Sequence, residues 1–222
     1  MKLKKRIDVY ELLRDKIIQG AIPQGEALRE EWLTGQLKVS RTPIREALIR
    51  LQENGLVTLI KNKGAFVASF GANDILEIFS LRILLEGFAA QSCVDFMVQP
   101  KMQNIYNRME KLVNVPGRFD EKVKAGTDLH AFVVECAGNA RLQKIIKTLQ
   151  TQVMWVRFRA ERIPGRVDQS LQEHLKIVKA ILSHDGKQAG KCMKKHLEDV
   201  LKDLTDAKNL RVLSGFRAGK SG

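Results

Sequence analysis

The sequence lacks any long apolar run. Its apolar runs, such as Ile83 to Leu85 and Phe88 to Ala90, separated by Glu86, are short, far below the roughly 20 residues that a membrane-spanning helix needs. No membrane segment is expected. Low-complexity tracts are missing as well, and with 44% hydrophobic and 28% charged residues extensive disorder is excluded. A secretory leader is not evident either: Met1 to Arg6 is basic, but Asp8 and Glu11 stand where a signal would need its apolar stretch. The expected location is cytoplasmic. Cysteine is scarce. Cys93, Cys136 and Cys192 are odd in number, far apart and set in apolar helical patterns, which reads as buried thiols and excludes a disulfide framework or a CxxC metal site. Acidic residues are also in short supply, 25 against 38 Lys plus Arg, a formal charge of +13 at neutral pH. That balance points to a polyanionic partner, most simply nucleic acid.

What is present divides the chain into segments. Residues 1–70 hold 13 basic and 8 acidic side chains, residues 71–207 hold 21 and 17, and residues 208–222 hold 4 and none. The last segment, rich in Ser and Gly, reads as a flexible basic tail. In the first, Ile7, Tyr10, Leu13 and Ile17 recur at helical spacing until Gly20, Pro23 and Gly25 intervene, and a second helix from Arg29 to Gln36 turns Trp32 and Leu33 inward. A third begins with Ser40 as N-cap and Pro43 in its first turn, runs through Ile44, Ala47, Leu48 and Leu51, and stops at Asn54-Gly55. Leu56 to Ile60 and Ala65 to Ser69 then form a hairpin around Lys61-Asn62-Lys63-Gly64. From Asn73 onward only helical periods remain, over 73–98, 101–113, 118–137, 139–161, 167–184 and 187–208, with Gly71 and Ala72 as the linker. The fold class is therefore mainly α, an N-terminal winged helix-turn-helix plus a C-terminal antiparallel all-α bundle of about six helices. The domains expected are 1–70, the winged helix-turn-helix, and 71–207, the helical bundle, for which the family resemblance given below implies effector binding and dimerisation.

Arg41, Thr42, Arg45 and Arg50 lie on or at the start of the third helix, the element that such a motif lays in the major groove with its first residues against base edges. An arginine there pairs with guanine O6 and N7, contributing about 1–3 kcal/mol of discrimination. The wing tip, Lys61, Asn62, Lys63 and Gly64, would reach an adjacent groove or phosphate. The plainer alternative makes the arginines solvated partners of Glu46 and Glu53.

Four histidines are present, and three of them face inward. His130 falls in the series Phe119, Val123, Gly126, His130, Val133, Ala137, while His174 lies with Leu171, Val178 and Ile181, and His196 with Met193, Val200 and Leu204. If Asp185 marks the turn between the last two helices, His174 is 11 residues before it and His196 is 11 after, so an antiparallel pair places them opposite each other. Buried imidazoles in such a group are costly unless they share a ligand. A divalent metal of the Zn, Ni or Mn class would satisfy all three. Otherwise each is a separate core histidine bonded to a carbonyl or a water.

The run Val39-Ser40-Arg41-Thr42-Pro43-Ile44-Arg45-Glu46-Ala47-Leu48, with Leu51 and Asn54-Gly55-Leu56-Val57, resembles the DNA-binding domain of GntR-superfamily transcription regulators. Further on, Leu81-Arg82 with Leu85-Glu86, His130 with Ala137-Gly138-Asn139 and Leu142, Glu173-His174 with Ile177 and Ala180, then Asp185, Ala189 and His196 resemble the FCD ligand-binding domain of the FadR-like branch. The resemblance implies that Arg41 and Arg45 read bases, assisted by Thr42 and the wing. It also implies a metal held by an aspartate and three histidines, but the aspartate's position is Gly126, and Asp128 points roughly 160° away from His130 around the helix. Either three histidines hold a more open metal, or the space at Gly126 admits a larger metal-free ligand. Arg82 would anchor an anionic effector or pair with Glu86, and Asn139 would contact the effector or cap a helix.

The function expected is a sequence-specific, homodimeric transcription regulator, not an enzyme. A small carboxylate or sugar acid in the bundle would control its affinity for a palindromic operator in double-stranded DNA. Two rivals stand beside it: a bundle that only dimerises, and a three-histidine metal hydrolase, which lacks a general base in a HExxH-like relation to any of the three.

Overall fold

The structure, a computed structural model, describes residues 8–206. Ile7 and the segment expected to form the basic tail lie outside the described residues. Nine helices and one hairpin occur among the described residues: α1 (Val9–Ile18), α2 (Glu30–Leu37), α3 (Arg41–Glu53), β1 (Val57–Ile60), β2 (Gly64–Val67), α4 (Ala72–Phe96), α5 (Gln99–Glu110), α6 (Phe119–Cys136), α7 (Ala140–Ala160), α8 (Arg166–Leu182) and α9 (Gly186–Thr205). They divide into two compact units, residues 8–71 with 149–158, and residues 72–148 with 159–206. No described helix is long and apolar enough to cross a membrane.

In the first unit α1 starts at Asp8, whose Oδ1 accepts from the Tyr10 and Glu11 N–H groups at 3.1 and 3.3 Å, satisfying two donors that the helix start leaves free. Leu13 and Ile17 of α1, Leu33 of α2 and Ile44, Leu48 and Leu51 of α3 form the core. Ser40 occupies the N-cap of α3 without a side-chain cap bond. At the other end Leu56 N–H donates to the Leu51 carbonyl and Gly55 N–H to that of Gln52, both at 2.9 Å, the paired bonds of a Schellman stop. The wing is antiparallel, with Val57 opposite Val67 and Ile60 opposite Gly64. From α7, the ring of Trp155 packs on Phe70 with centroids 4.5 Å apart.

Trp32 departs from expectation: it is 54% exposed, whereas Leu33 is 1% exposed. Neighbouring helical residues point about 100° apart, and the short α2 turns only one of the two to the core.

The second unit is a helical bundle around Phe79, Met102, Met109, Leu129, Leu171 and Ile177. Pro100 lies in the first turn of α5, where its missing N–H is tolerated, and the helix expected from 101 begins two residues earlier, at Gln99. Asp185 caps α9, accepting from Gln188 N–H at 2.9 Å. The axes of α4 and α9 approach closely, since a Cβ placed at Gly190 would stand 3.0 Å from the Gly87 carbonyl oxygen. Phe119, expected inward, is 47% exposed because it opens α6. Lys122 is buried there instead, donating to the Val115 carbonyl and to Asp168, each at 2.6 Å. Cys93 and Cys136 are buried as expected, but Cys192 is only half-buried.

Leu51→Ala is expected to lower unfolding free energy by about 2–5 kcal/mol through a cavity. Trp32→Ala should change it by no more than about 0.5 kcal/mol. Chemical denaturation of both variants checks the assignment of the core, and an equal loss at both positions would contradict it.

Candidate functional site

The inward faces of α6, α8 and α9 bring His130, His174 and His196 together, all buried. His174 Nε2 stands 3.1 Å from His130 Nε2 and 3.1 Å from His196 Nε2. One nitrogen from each ring lies within 4.8 Å of the others. The juxtaposition of His174 and His196 expected from their equal distance to the turn is found, and α6 adds the third ring.

The outer nitrogens of two rings face carboxylates. His130 Nδ1 is 2.5 Å from Glu86 Oε2, and Glu86 Oε1 accepts from Arg82 Nε at 2.7 Å. His196 Nδ1 is 2.6 Å from Glu173 Oε2, which also pairs with Arg166. Arg166, 2% exposed at the start of α8, donates further to Asp203 at 2.9 Å and to Ser170 at 3.0 Å. Burial works to raise the Glu86 carboxyl, but the Arg82 guanidinium and His130 outweigh it and hold the group well below the usual carboxylate range. Burial also raises Glu173, against the pull of Arg166, and pushes His196 well below the ordinary imidazole value, with His130 and both arginines adding to the effect.

These charges fix the tautomers. A neutral imidazole carries one proton, and a carboxylate beside Nδ1 draws it there. In their neutral forms His130 and His196 would thus turn an unprotonated Nε2 toward His174 Nε2. A single proton on His174 Nε2 serves only one of them well. A divalent cation between the rings would satisfy all three, and the two 3.1 Å separations from His174 Nε2 suit nitrogens that share one ion. The donor set fits a divalent metal with neutral nitrogen ligands.

Gly126 does not open a cavity. A Cβ there would meet His174 Cε1 at 2.6 Å, so the ring of His174 fills the space where the side chain is missing, and the larger ligand expected at that spot has no room. Asp128 faces away, paired with Arg108 at 2.8 Å and Lys124 at 3.2 Å. Of the two roles expected for Arg82, the buried ion pair is the one present. Asn139 caps α7, its Oδ1 accepting from Leu142 N–H at 3.0 Å.

On the first unit, Arg41, Thr42, Arg45 and Arg50 are all exposed along α3, as are Lys61, Asn62, Lys63 and Gly64 at the wing tip. The arginines do not pair with Glu46 or Glu53. Arg45 Nε donates to both oxygens of Glu30, at 2.9 and 2.8 Å, and Arg41 Nη2 to Glu31 at 3.3 Å. Arg50 is drawn to α1, its guanidinium 4.0 Å from the Tyr10 ring centroid and 4.0 Å from Asp8.

Sequence reasoning missed Glu30 and Arg166 and named Glu173 only as the neighbour of His174. Arg166 and Glu173 are seven residues apart, two helical turns on one face, which was a readable signal. The pairing of Glu173 with His196 on another helix had none.

A winged helix-turn-helix with a basic third helix, joined to an all-α unit that buries a histidine trio, defines a two-domain DNA-binding regulator. Residues 5–67 match the gntR family of bacterial regulatory proteins, residues 77–199 match the FCD domain, and the chain belongs to the GntR-type transcription regulators that carry an FCD domain. It is 23% identical over 194 residues to the HTH-type transcriptional repressor RspR of Escherichia coli K12, covering 86% of this chain and 85% of that protein. It is 29% identical over 199 residues to the probable D-xylose utilization operon transcriptional repressor of Paenarthrobacter nicotinovorans, covering 86% and 87%. Among solved structures E. coli McbR/YncC superimposes with a TM-score of 0.69 at 18% identity, covering 89% of this chain and 96% of that one. Family and relatives place the chain among transcription regulators and not enzymes.

Gly126→Ala must displace the His174 ring, and overpacking of this kind costs about 1–3 kcal/mol. A fall in melting temperature measured by calorimetry is expected. An unchanged melting temperature would contradict the close contact.

Proposed function

We propose that this regulator is a cytoplasmic homodimeric repressor whose FCD domain holds a divalent metal on His130, His174 and His196 and senses a small carboxylate or sugar acid there. The observation that carries the reading is the convergence of three imidazole nitrogens, two of them 3.1 Å from His174 Nε2 and on rings whose Nδ1 faces Glu86 or Glu173. When bound, the ion supplies a Lewis-acidic centre with positions open to water or an effector oxygen. The chain's own groups do the rest. Arg82 and Arg166 offset the charge of Glu86 and Glu173, so three neutral imidazoles leave the cation's charge largely uncompensated, which favours an anionic effector. Arg82 acts through Glu86, orienting His130.

His130, His174 and His196 stand on three different helices, so an effector that alters the trio biases the packing of α6, α8 and α9. In a dimer that bias changes the separation of the two α3 helices and with it the affinity for a palindromic operator. Support for pairing comes from an outward stripe on α4, where Leu81, Leu84 and Phe88 are 43%, 64% and 50% exposed at helical spacing, an apolar face suited to a second copy. The names of the two relatives support the repressor assignment, and that of the D-xylose repressor supports a sugar-derived effector.

Metal analysis of purified full-length protein is expected to find about one divalent ion per chain, with chelation lowering the melting temperature and His174→Ala abolishing both the ion and the chelator effect. Metal-free protein indifferent to chelator would refute the metal.

Operator duplex is best titrated with the metal-loaded protein against a panel of organic and sugar acids. At least one acid should shift operator affinity by about 5- to 150-fold, and the shift should vanish after chelation. No response to any acid would leave a bundle that only dimerises.

A further inference from the structure

Two acidic residues, Glu30 and Glu31, open α2, and each reaches across to an arginine of α3. The two contacts differ in kind. The carboxylate of Glu30 straddles the Nε–H of Arg45, with both oxygens within 2.9 Å, and its side chain is 33% exposed. Glu31 touches Arg41 once, at 3.3 Å, and is 85% exposed. An exposed ion pair contributes only about 0–1 kcal/mol to stability, so stability alone does not account for a carboxylate held against a helix that meets a polyanion. Near phosphates that carboxylate is repelled.

Orientation accounts for it. A guanidinium has five N–H donors in a rigid plane, and a partner on Nε fixes that plane. The two Nη groups are then left as an end-on fork, the geometry that matches O6 and N7 of guanine. An arginine without such a partner rotates freely and is drawn to phosphate oxygens, which carry no sequence information. Arg41, with its single long contact, and Arg50, stacked on Tyr10, have no comparable brace on Nε among the described residues.

We infer that Glu30 is a specificity-determining positioning residue, which holds Arg45 in the orientation that selects guanine at one base pair of each half-site. The inference rests on the reading of α3 as the base-reading helix. Glu31 has no equivalent role, so the two neighbours are separable by experiment.

The full-length protein and its Glu30→Gln, Glu30→Ala, Glu31→Gln and Arg45→Ala variants are each used to select from a duplex library with a randomised core. Circular dichroism and melting curves first establish that the exposed substitutions leave the fold intact. The Glu30 variants should lose guanine preference at the same base pair as Arg45→Ala, by about 5-fold or more, with the rest of the profile kept. Glu31→Gln should retain the wild-type profile. If both Glu30 variants keep that profile, including a case in which they bind every duplex more tightly, Glu30 is only a charge that DNA displaces and the inference is wrong. Relaxation at a different base pair also overturns it. If Arg45→Ala itself keeps the wild-type profile while still binding, the failure lies in the base-reading role of Arg45 and is distinguishable from a failure of Glu30.

Discussion

Three imidazole nitrogens meet in the interior of the second unit, 3.1 Å from ring to ring across His174, and two of the rings face a carboxylate at Nδ1. Bare lone pairs facing one another in a medium of low dielectric are unfavourable unless a positive charge lies between them. Much of the local architecture follows from meeting that condition. Gly126 is small so that the His174 ring can sit against its backbone, Glu86 and Glu173 face the outer Nδ1 atoms, and Arg82 and Arg166 hold those two side chains in place. Arg166 also ties the start of α8 to Asp203 near the end of α9, so the arm that fixes His196 is anchored on both helices that carry the opposed pair.

The same physical device recurs in the DNA-binding unit. A polar side chain is braced on one edge by a group of opposite or complementary character, which leaves its other edge directed away: Glu86 behind His130, Glu173 behind His196, Glu30 behind Arg45. Such bracing reduces the orientational freedom that binding would otherwise have to remove. It also shows why the net charge of +13 says little about where recognition occurs. Within α7 alone five cationic side chains occur with no acidic one, while Arg41, Arg45 and Arg50 of α3 each have a carboxylate nearby.

Much of the fold was legible because its signals are local. Helix periods, the Asn54-Gly55 stop, the Lys61 to Gly64 turn and the cap at Asp185 each depend on a few consecutive residues, and the elements fall within a few residues of the expected limits. The histidine trio was legible for a related reason, since equal spacing about one turn fixes the height of His174 against His196. The brace residues were not. Glu173 acts on His196 from another helix, Arg166 fell one residue outside the helix expected over 167–184 although its spacing to Glu173 was readable, and Glu30 acts on α3 from a different helix. Trp32 and Phe119 were misplaced because a period fixes the direction of a face without fixing how far neighbouring elements extend to cover it.

The central claim is that carboxylates fix the protons of His130 and His196 on Nδ1 and turn their Nε2 lone pairs toward a shared centre. Imidazole nitrogen shifts of the full-length protein, resolved by long-range proton–nitrogen correlation and assigned with single histidine variants, test it most directly. Both rings should show the Nδ1–H tautomer at neutral pH, and the Nε2 resonances should move on titration with a divalent metal. Nε2–H tautomers at both positions, with resonances indifferent to metal, would contradict the account.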